Sequence, residues 1–258
     1  MKLNHSFVFI LLAFLSNSCN KLETSTCFIP AGAIITETRE LSSFNSIKML
    51  DNVDVEYVDG DEIFVEVTAG GNLIKGIDLQ VENSQILIDS VPVSIRQLVI
   101  RNLNTCNWTR SFDLPYKVRI CLPGLKNIEY RSIGDFFCST PITSDTFSIN
   151  MYEGSGTVNL DLQSKLTFLN FHYGTADMVV KGFSEINYIY QASYGPVLAD
   201  DFMTNFTYLE NRGSNNCYVN TRVFLGATIS SIGNVYYSGN PQGNSLIKNG
   251  SGSFFQVQ

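Results

Sequence analysis

Apolar and polar residues alternate with a period of two along much of the chain. Residues 53–57 read Val-Asp-Val-Glu-Tyr and residues 63–67 read Ile-Phe-Val-Glu-Val, with a turn-like Asp-Gly-Asp at 59–61 between them. The same alternation returns over residues 77–88. Because successive side chains of a strand point to opposite faces, this pattern predicts half-buried strands. No convincing stretch has apolar residues at helical spacing, so the sequence indicates an all-β protein.

Glycine recurs at intervals of about 20 residues in the second half of the chain. The residue that follows each glycine is a turn former, and the one after that is apolar in six of the seven repeats. This arrangement is typical of a strand that leaves a tight corner, where glycine is favoured because such corners often need a positive φ. The predicted structural corner glycines are Gly134, Gly156, Gly174, Gly195, Gly213, Gly233 and Gly252.

A unit of this length cannot bury its own apolar face, so it must stack on copies of itself. Strands of neighbouring turns would then pair in parallel about 4.8 Å apart. We expect a single-stranded, right-handed parallel β-helix, because parallel crossovers strongly prefer the right hand. A β-sandwich is the alternative, whereas propeller blades and leucine-rich repeats do not match the period or the residue columns.

The N-terminus has the layout of a targeting segment. Lys2 precedes an apolar run at 7–15 that is too short to span a membrane, and small residues lead to Cys19. A cysteine at this point resembles the bacterial lipoprotein signal, in which the cysteine receives lipid and becomes the first mature residue. The sequence therefore predicts a signal peptide at 1–18 and lipid attachment at Cys19, which would hold the protein on a membrane.

The remaining chain divides into three predicted segments. Residues 19–43 form a tether and leader, and residues 44–122 form an N-terminal β segment that makes the first turns of the coil. That segment is expected to contain an inserted loop at about 89–113. Residues 123–258 hold the glycine-centred β-helix repeats.

Short motifs over about residues 27–258 carry a family resemblance. Residues 154–156 and 250–252 both read Gly-Ser-Gly, residues 106–110 read Cys-Asn-Trp-Thr-Arg, and residues 233–241 read Gly-Asn-Val-Tyr-Tyr-Ser-Gly-Asn-Pro. This combination resembles the head GIN domain family of auto-transporter adhesin-like bacterial lipoproteins. The resemblance implies a β-helix with Gly-Ser-Gly corners and an adhesive lipoprotein of a gram-negative cell envelope, at the outer membrane. The residues that take the usual serine position differ at five corners: Ile133, Tyr173, Tyr194, Arg212 and Ile232.

Composition argues against several other functions. The chain has 17 Lys and Arg against 24 Asp and Glu and no basic run, which disfavours nucleic-acid binding. Its two histidines leave little room for a histidine metal site or a Ser-His-Asp triad. Asp200 and Asp201 are adjacent, but neighbours on a strand point to opposite faces, which does not suit a paired-carboxylate polysaccharide hydrolase or lyase. We therefore expect no enzyme, cofactor or metal site.

Four cysteines are sorted by position. Cys138 and Cys217 would share an inward column and act as buried thiols, since about four strand spacings separate them. Cys121 would lie on the outer face, with Lys117 and Arg119. A disulfide between Cys27 and Cys106 is predicted, with Cys106–Cys121 as the alternative.

The column of residues preceding each glycine suggests a binding surface. It places Tyr173 and Tyr194 in adjacent turns, where their rings would form an aromatic strip for a glycan or a protein surface. Two functions follow: an adhesin-like, non-catalytic binding β-helix, or a structural module that self-associates as a homo-oligomer. The strand at 254–257 motivates the second, because an uncovered strand edge invites pairing.

Overall fold

The computed structural model describes residues 30–88, 91–104 and 116–257. In that part of the chain no helix is long and apolar enough to cross a membrane, and the one helical element is a 3₁₀ turn at Ile74–Gly76. The strands are β1 (Ile34–Arg39), β2 (Ser46–Asp51), β3 (Asp54–Val58), β4 (Phe64–Gly70), β5 (Ile77–Ile88), β6 (Val91–Asn102), β7 (Lys117–Cys121), β8 (Asn127–Ser132), β9 (Phe136–Cys138), β10 (Ile142–Met151), β11 (Thr157–Phe171), β12 (Asp177–Gln191), β13 (Val197–Asn211), β14 (Cys217–Ile229), β15 (Val235–Ser238), β16 (Gly243–Lys248) and β17 (Phe254–Gln256).

The strands wind into a β-solenoid of about six turns, so the β-helix predicted from the repeat is confirmed. From β8 onward each strand pairs in parallel with a strand of the next turn. Leu169 of β11 lies beside Ile189 of β12, which lies beside Leu209 of β13. All three side chains are buried. This in-register stacking supplies the apolar contacts that a single turn cannot make for itself.

The first turns of the coil are stacked out of sequence order. Ile47 of β2 lies beside Ile128 of β8, and Val55 of β3 lies beside Phe136 of β9, so each pair joins residues 81 positions apart. The chain between β3 and β8 forms the end layer, in which β6 pairs with β2 and β7 pairs with β3. Residues 91–102, which fall within the predicted inserted loop, are therefore a strand of the coil.

Antiparallel strands cover the outer edge of this end layer. β5 pairs with β6, β4 pairs with β7, and β1 pairs with β4, each in antiparallel register. An uncovered strand edge presents unpaired backbone donors and acceptors. These three strands occupy that edge at the N-terminal end of the solenoid.

One inward column runs through the repeats immediately after the corner. Its members lie beside one another in successive turns, and each from Phe136 to Val235 is completely buried. The sequence-based alignment places Ala176 and Asn215 in this column, but the register replaces them with Met178 and Cys217. The column consists of Phe136, Val158, Met178, Val197, Cys217, Val235 and Phe254.

The corner residues form two columns of small residues rather than the predicted single column of glycines. Gly174 and Gly213 belong to the upstream column, and Ala176 and Asn215 take the downstream positions beside Gly195. The upstream column is Ser132, Gly154, Gly174, Ser193, Gly213, Ser231 and Gly250. The downstream column is Gly134, Gly156, Ala176, Gly195, Asn215, Gly233 and Gly252.

Close stacking explains the glycines of the downstream column. A Cβ atom on Gly156 would lie 2.6 Å from the carbonyl oxygen of Gly134 in the previous turn, and a Cβ on Gly195 would collide with the carbonyl oxygen of Ala176. Neither glycine is among those with a positive φ, whereas Gly154 in the upstream column has φ +97°. The expected need for a positive φ therefore holds only at some corners, and lack of space holds at the others.

Buried side chains satisfy the backbone of the corners. The Tyr130 hydroxyl donates to the Gly134 carbonyl at 2.9 Å and accepts from the Gly156 amide at 3.0 Å. Burial raises the pKa of this phenol. Asn211 takes the same position two turns before the end of the coil, where its Nδ2 donates to the Asn215 carbonyl at 3.2 Å. These bonds matter because an unpaired buried backbone group costs about 1–3 kcal/mol.

The cysteines depart from the predicted arrangement in two ways. Cys217 is fully buried in the inward column, but Cys138 lies beside Tyr57 two residues downstream of that column. Cys121 is buried rather than outward, because a Cβ on Gly60 would meet its Sγ at 2.7 Å. It is a free thiol, so the alternative Cys106–Cys121 bond is absent.

Other predictions concern residues that the structure does not describe. Cys19, Cys27, Cys106 and the signal peptide at 1–18 all lie outside the described ranges. The Cys27–Cys106 disulfide therefore stays a prediction.

Replacing Gly156 with alanine tests the close stacking at the corners. The added methyl group must displace backbone of the previous turn, so we expect Gly156→Ala to lower the free energy of unfolding by about 1–3 kcal/mol. Urea denaturation followed by circular dichroism measures the change. Ser155→Ala is the matched control, because Ser155 is exposed at the same corner and should lose little. Equal stability of the two variants would contradict the steric explanation.

The cysteines give a second test, because only the thiolate is reactive. Burial raises the pKa of the Cys138 thiol to about 12 and raises the pKa values of Cys121 and Cys217 as well. We expect all three to react with iodoacetamide only after unfolding. Mass spectrometry of a non-reduced digest should also recover Cys27 and Cys106 in one linked peptide; finding both alkylated without reductant would disprove that bond.

Candidate functional site

One outward face of the solenoid carries aromatic residues at the same position in successive turns. Phe168 of β11 pairs with Tyr188 of β12, and Tyr188 pairs with Tyr208 of β13. Residues on either side of each, such as Leu209, are buried in the core, so these rings point outward. We call Phe168, Tyr188 and Tyr208 the aromatic column.

In-register pairing brings these rings into direct contact. The centroids of Phe168 and Tyr188 are 5.3 Å apart with planes 10° from parallel, and those of Tyr188 and Tyr208 are 5.1 Å apart with planes 19° from parallel. Such pairs contribute about 0.5–1.5 kcal/mol beyond burial. The two tyrosines nevertheless remain 40% and 39% exposed. The column is thus a rigid apolar strip that is open to solvent.

Two other outward columns flank the aromatic column. One is apolar and half-buried, and consists of Leu166, Ile186, Phe206 and Phe224. The other carries hydrogen-bonding groups and consists of Asn170, Tyr190, Glu210 and Thr228. We call the second one the polar column.

A groove of about 410 Å³ runs between the aromatic and polar columns. Gly226 follows Tyr208 in register, so the aromatic column has no side chain in that turn. Tyr208, Gly226 and Ser245 border one side of the groove, and Glu210 and Thr228 border the other. The volume lies within the range of about 300–1,000 Å³ typical of small-ligand sites.

The charge of the groove is negative. Among the described residues that line it, Glu210 is the one acidic or basic side chain. Its Oε1 accepts a hydrogen bond from Nε of Arg212 at 2.5 Å, and this bond raises the pKa of the Arg212 guanidinium. The pair holds Glu210 beside the groove while both groups stay in contact with solvent.

A second aromatic cluster lies next to the groove, on the side of Tyr190. The Arg131 guanidinium sits 4.4 Å from the ring centroid of Tyr152, which stacks on His172 at 4.5 Å with planes 5° apart. His172 in turn lies 5.5 Å from the Tyr190 ring. Burial, together with the charge of Arg131, lowers the pKa of His172. Its expected surface position is therefore only half right, since it is partly buried in a stack.

The predicted pair Tyr173 and Tyr194 does not form a strip. Tyr194 lies beside Thr175, one corner position away from Tyr173, because its amide donates to the Gly174 carbonyl. Tyr173 instead makes an edge contact with Tyr152, at 6.1 Å between centroids. Both rings are exposed, at 48% and 70%. The serine positions of the corners are held by Ile133, Ser155, Thr175, Tyr194, Ser214, Ile232 and Ser251, so Tyr173 and Arg212 are not among them.

Acidic residues do not assemble into a centre in the described ranges. Asp200 and Asp201 are both exposed, at a register shift between β13 and β14. Across residues 30–88, 91–104 and 116–257 no group of three His, Cys, Asp or Glu side chains could hold a metal ion. The groove is therefore described by stacking and hydrogen-bonding groups.

Sequence reasoning missed the aromatic column although its signal was present. Phe168, Tyr188 and Tyr208 are spaced by 20 residues, which is the period of the glycine repeat. The glycine alignment was anchored on corners of unequal length, so it compared the wrong outward positions.

The fold is shared with several solved bacterial structures. A putative adhesin from Bacteroides fragilis has a TM-score of 0.72 and 20% identity, covering 87% of this chain and 97% of that chain. A putative adhesin from Parabacteroides merdae has a TM-score of 0.61 and 17% identity, covering 88% and 97%. A putative lipid binding protein from Parabacteroides distasonis has a TM-score of 0.64 and 22% identity, covering 88% and 98%.

Likeness at these identities shows the fold alone, and no curated protein matches the sequence significantly. The family comparison is more direct. Residues 43–241 match the family described as "Putative auto-transporter adhesin, head GIN domain". The match includes the two end layers, the corners and the aromatic column. Because it spans well over half of the sequence, the chain belongs to this head GIN domain family of adhesins.

Proposed function

We propose that the protein is a non-catalytic, adhesin-like binding protein of the cell envelope, anchored by lipid on Cys19. The observation that carries the proposal is the exposed aromatic column, because rigid rings held open to solvent are a common means of binding another surface. Tyr188 and Tyr208 cannot turn inward, since the neighbouring positions of their strands fill the core. Membership of an adhesin family supports the same function.

The chemistry of the groove favours binding over glycoside cleavage. A glycosidase places two carboxyl groups on either side of the bond that it cleaves. Among the described lining residues of the groove, Glu210 supplies one carboxylate, and Arg212 is bound to it. The groove therefore offers stacking and hydrogen bonding without an acid and base pair.

An N-terminal lipid would leave the coil mobile above a membrane. The lipid would be attached at Cys19, and the described structure begins at Pro30 in the layer that carries β1. Eleven residues span at most about 36–40 Å when fully extended. The aromatic column lies in β11–β13, toward the other end of the solenoid from β1. Such an arrangement presents the aromatic column away from the membrane of a gram-negative envelope.

The anchor is tested by metabolic labelling. We expect the full chain expressed in a gram-negative host to incorporate radiolabelled palmitate and to partition with the membrane fraction. Cys19→Ala should abolish the label and release the protein, because the acylated residue is lost. Ser18→Ala is the matched control and should retain the label. Labelling of Cys19→Ala at the level of the natural sequence would contradict the lipoprotein assignment.

Adhesion is tested with beads coated with the full chain and placed under flow on cultured epithelial cells and on mucin-coated glass. We expect coated beads to resist detachment, and Tyr188→Ser/Tyr208→Ser to lose at least half of this resistance because the apolar strip is removed. The control is Tyr218→Ser/Tyr236→Ser, which breaks another ring stack, 4.8 Å between centroids. Detachment of wild-type beads at the rate of albumin-coated beads would overturn the proposed function.

A further inference from the structure

We infer that the groove at Gly226 binds one pyranose ring of a neutral glycan, with the sugar stacked against Tyr208. This inference rests on the proposed function and names the class of ligand that the aromatic face would take. Three observations carry it: an interrupted ring stack, a border of hydrogen-bonding groups, and the charge of the groove.

The ring stack ends where the groove lies. Phe168, Tyr188 and Tyr208 follow one another at 5.3 and 5.1 Å, but the next position in register is Gly226. Phe224 approaches Tyr208 from the neighbouring column, at 6.1 Å between centroids and with planes 46° apart, and it does not line the groove. The turn at Gly226 therefore has room beside a tyrosine ring for one more flat group.

The groups around this space suit a sugar better than a hydrocarbon. Pyranose rings have an apolar face of C–H groups and a rim of hydroxyls. Tyr208 supplies an aromatic surface for the apolar face. Thr228, Glu210 and Ser245 border the same space and can donate to or accept from hydroxyls. A lipid chain would leave these polar groups without partners when it covered them.

Charge restricts the sugar to a neutral one. Glu210 is the acidic group at the groove, and the whole chain has a net charge of −7. Because Glu210 is ionised and paired with Arg212 at the rim, a carboxylate of a uronic or sialic acid would meet a like charge. A neutral hexose or N-acetylhexosamine meets no such penalty.

The test is titration of the full chain with methyl glycosides of glucose, galactose, mannose, N-acetylglucosamine and glucuronic acid, followed by saturation-transfer NMR and calorimetry. We expect at least one neutral glycoside to bind, and to bind at least tenfold more tightly than the glucuronide. Tyr208→Ala, Gly226→Phe and Thr228→Val should each weaken that binding at least fivefold. Tyr236→Ala should leave it within twofold, because Tyr236 belongs to another stack.

Thr228→Val keeps the shape of a strand residue and removes only a hydroxyl, so the test survives if Gly226→Phe fails to fold. The inference is overturned if no neutral glycoside binds, if the glucuronide binds equally well, or if Tyr208→Ala and Thr228→Val bind like the natural sequence. Bead adhesion without glycoside binding would overturn the sugar and keep the adhesive function. Loss of bead adhesion itself would overturn the proposed function instead.

Discussion

Each backbone position in the coil lies one strand spacing from the same position of the turns before and after it. This constraint puts like on like: Leu169 on Ile189 in the core, Gly134 under Gly156 at the corner, Tyr188 on Tyr208 outside. A single register therefore creates the core, the corners and the aromatic column together. A change at one position is felt first by the two residues stacked on it.

The two ends of this arrangement are built differently. At the N-terminal end, β6 and β7 come from the chain between β3 and β8, and antiparallel β1, β4 and β5 cover them. The same outward column that is aromatic in β11–β13 is polar in these first layers, where it holds Gln97, Ser46, Asn127 and Ser148. The cap and the candidate binding face thus occupy separate parts of the solenoid.

Sequence reasoning recovered what depends on the period and missed what depends on the length of each corner. The all-β class and the parallel coil followed from alternation and from a repeat too short to fold alone. The corner columns did not, because 22 residues separate Phe136 from its partner Val158, whereas 18 separate Cys217 from Val235. With Ala176 and Asn215 in place of glycine, an alignment on glycine moves to Gly174 and Gly213.

The end layer was also beyond reach, since nothing local marks a partner 81 residues away. Alternation likewise placed Cys121 outward. At the end of β7, however, both Ile120 and Cys121 are buried, so the period of two fails at that point. For the candidate site, the spacing of the rings was visible in the sequence. The gap at Gly226 that shapes the groove became evident only with the register.

The outward column also separates recognition from folding in evolutionary terms. Its residues, from Ser148 through Tyr208 to Ser245, belong to one line in which each turn contributes a single outward side chain. Codons for these positions could drift independently of those for the core, since no outward residue fills the interior. A lineage could therefore acquire a new surface preference by a few scattered substitutions, while inheriting the scaffold unaltered.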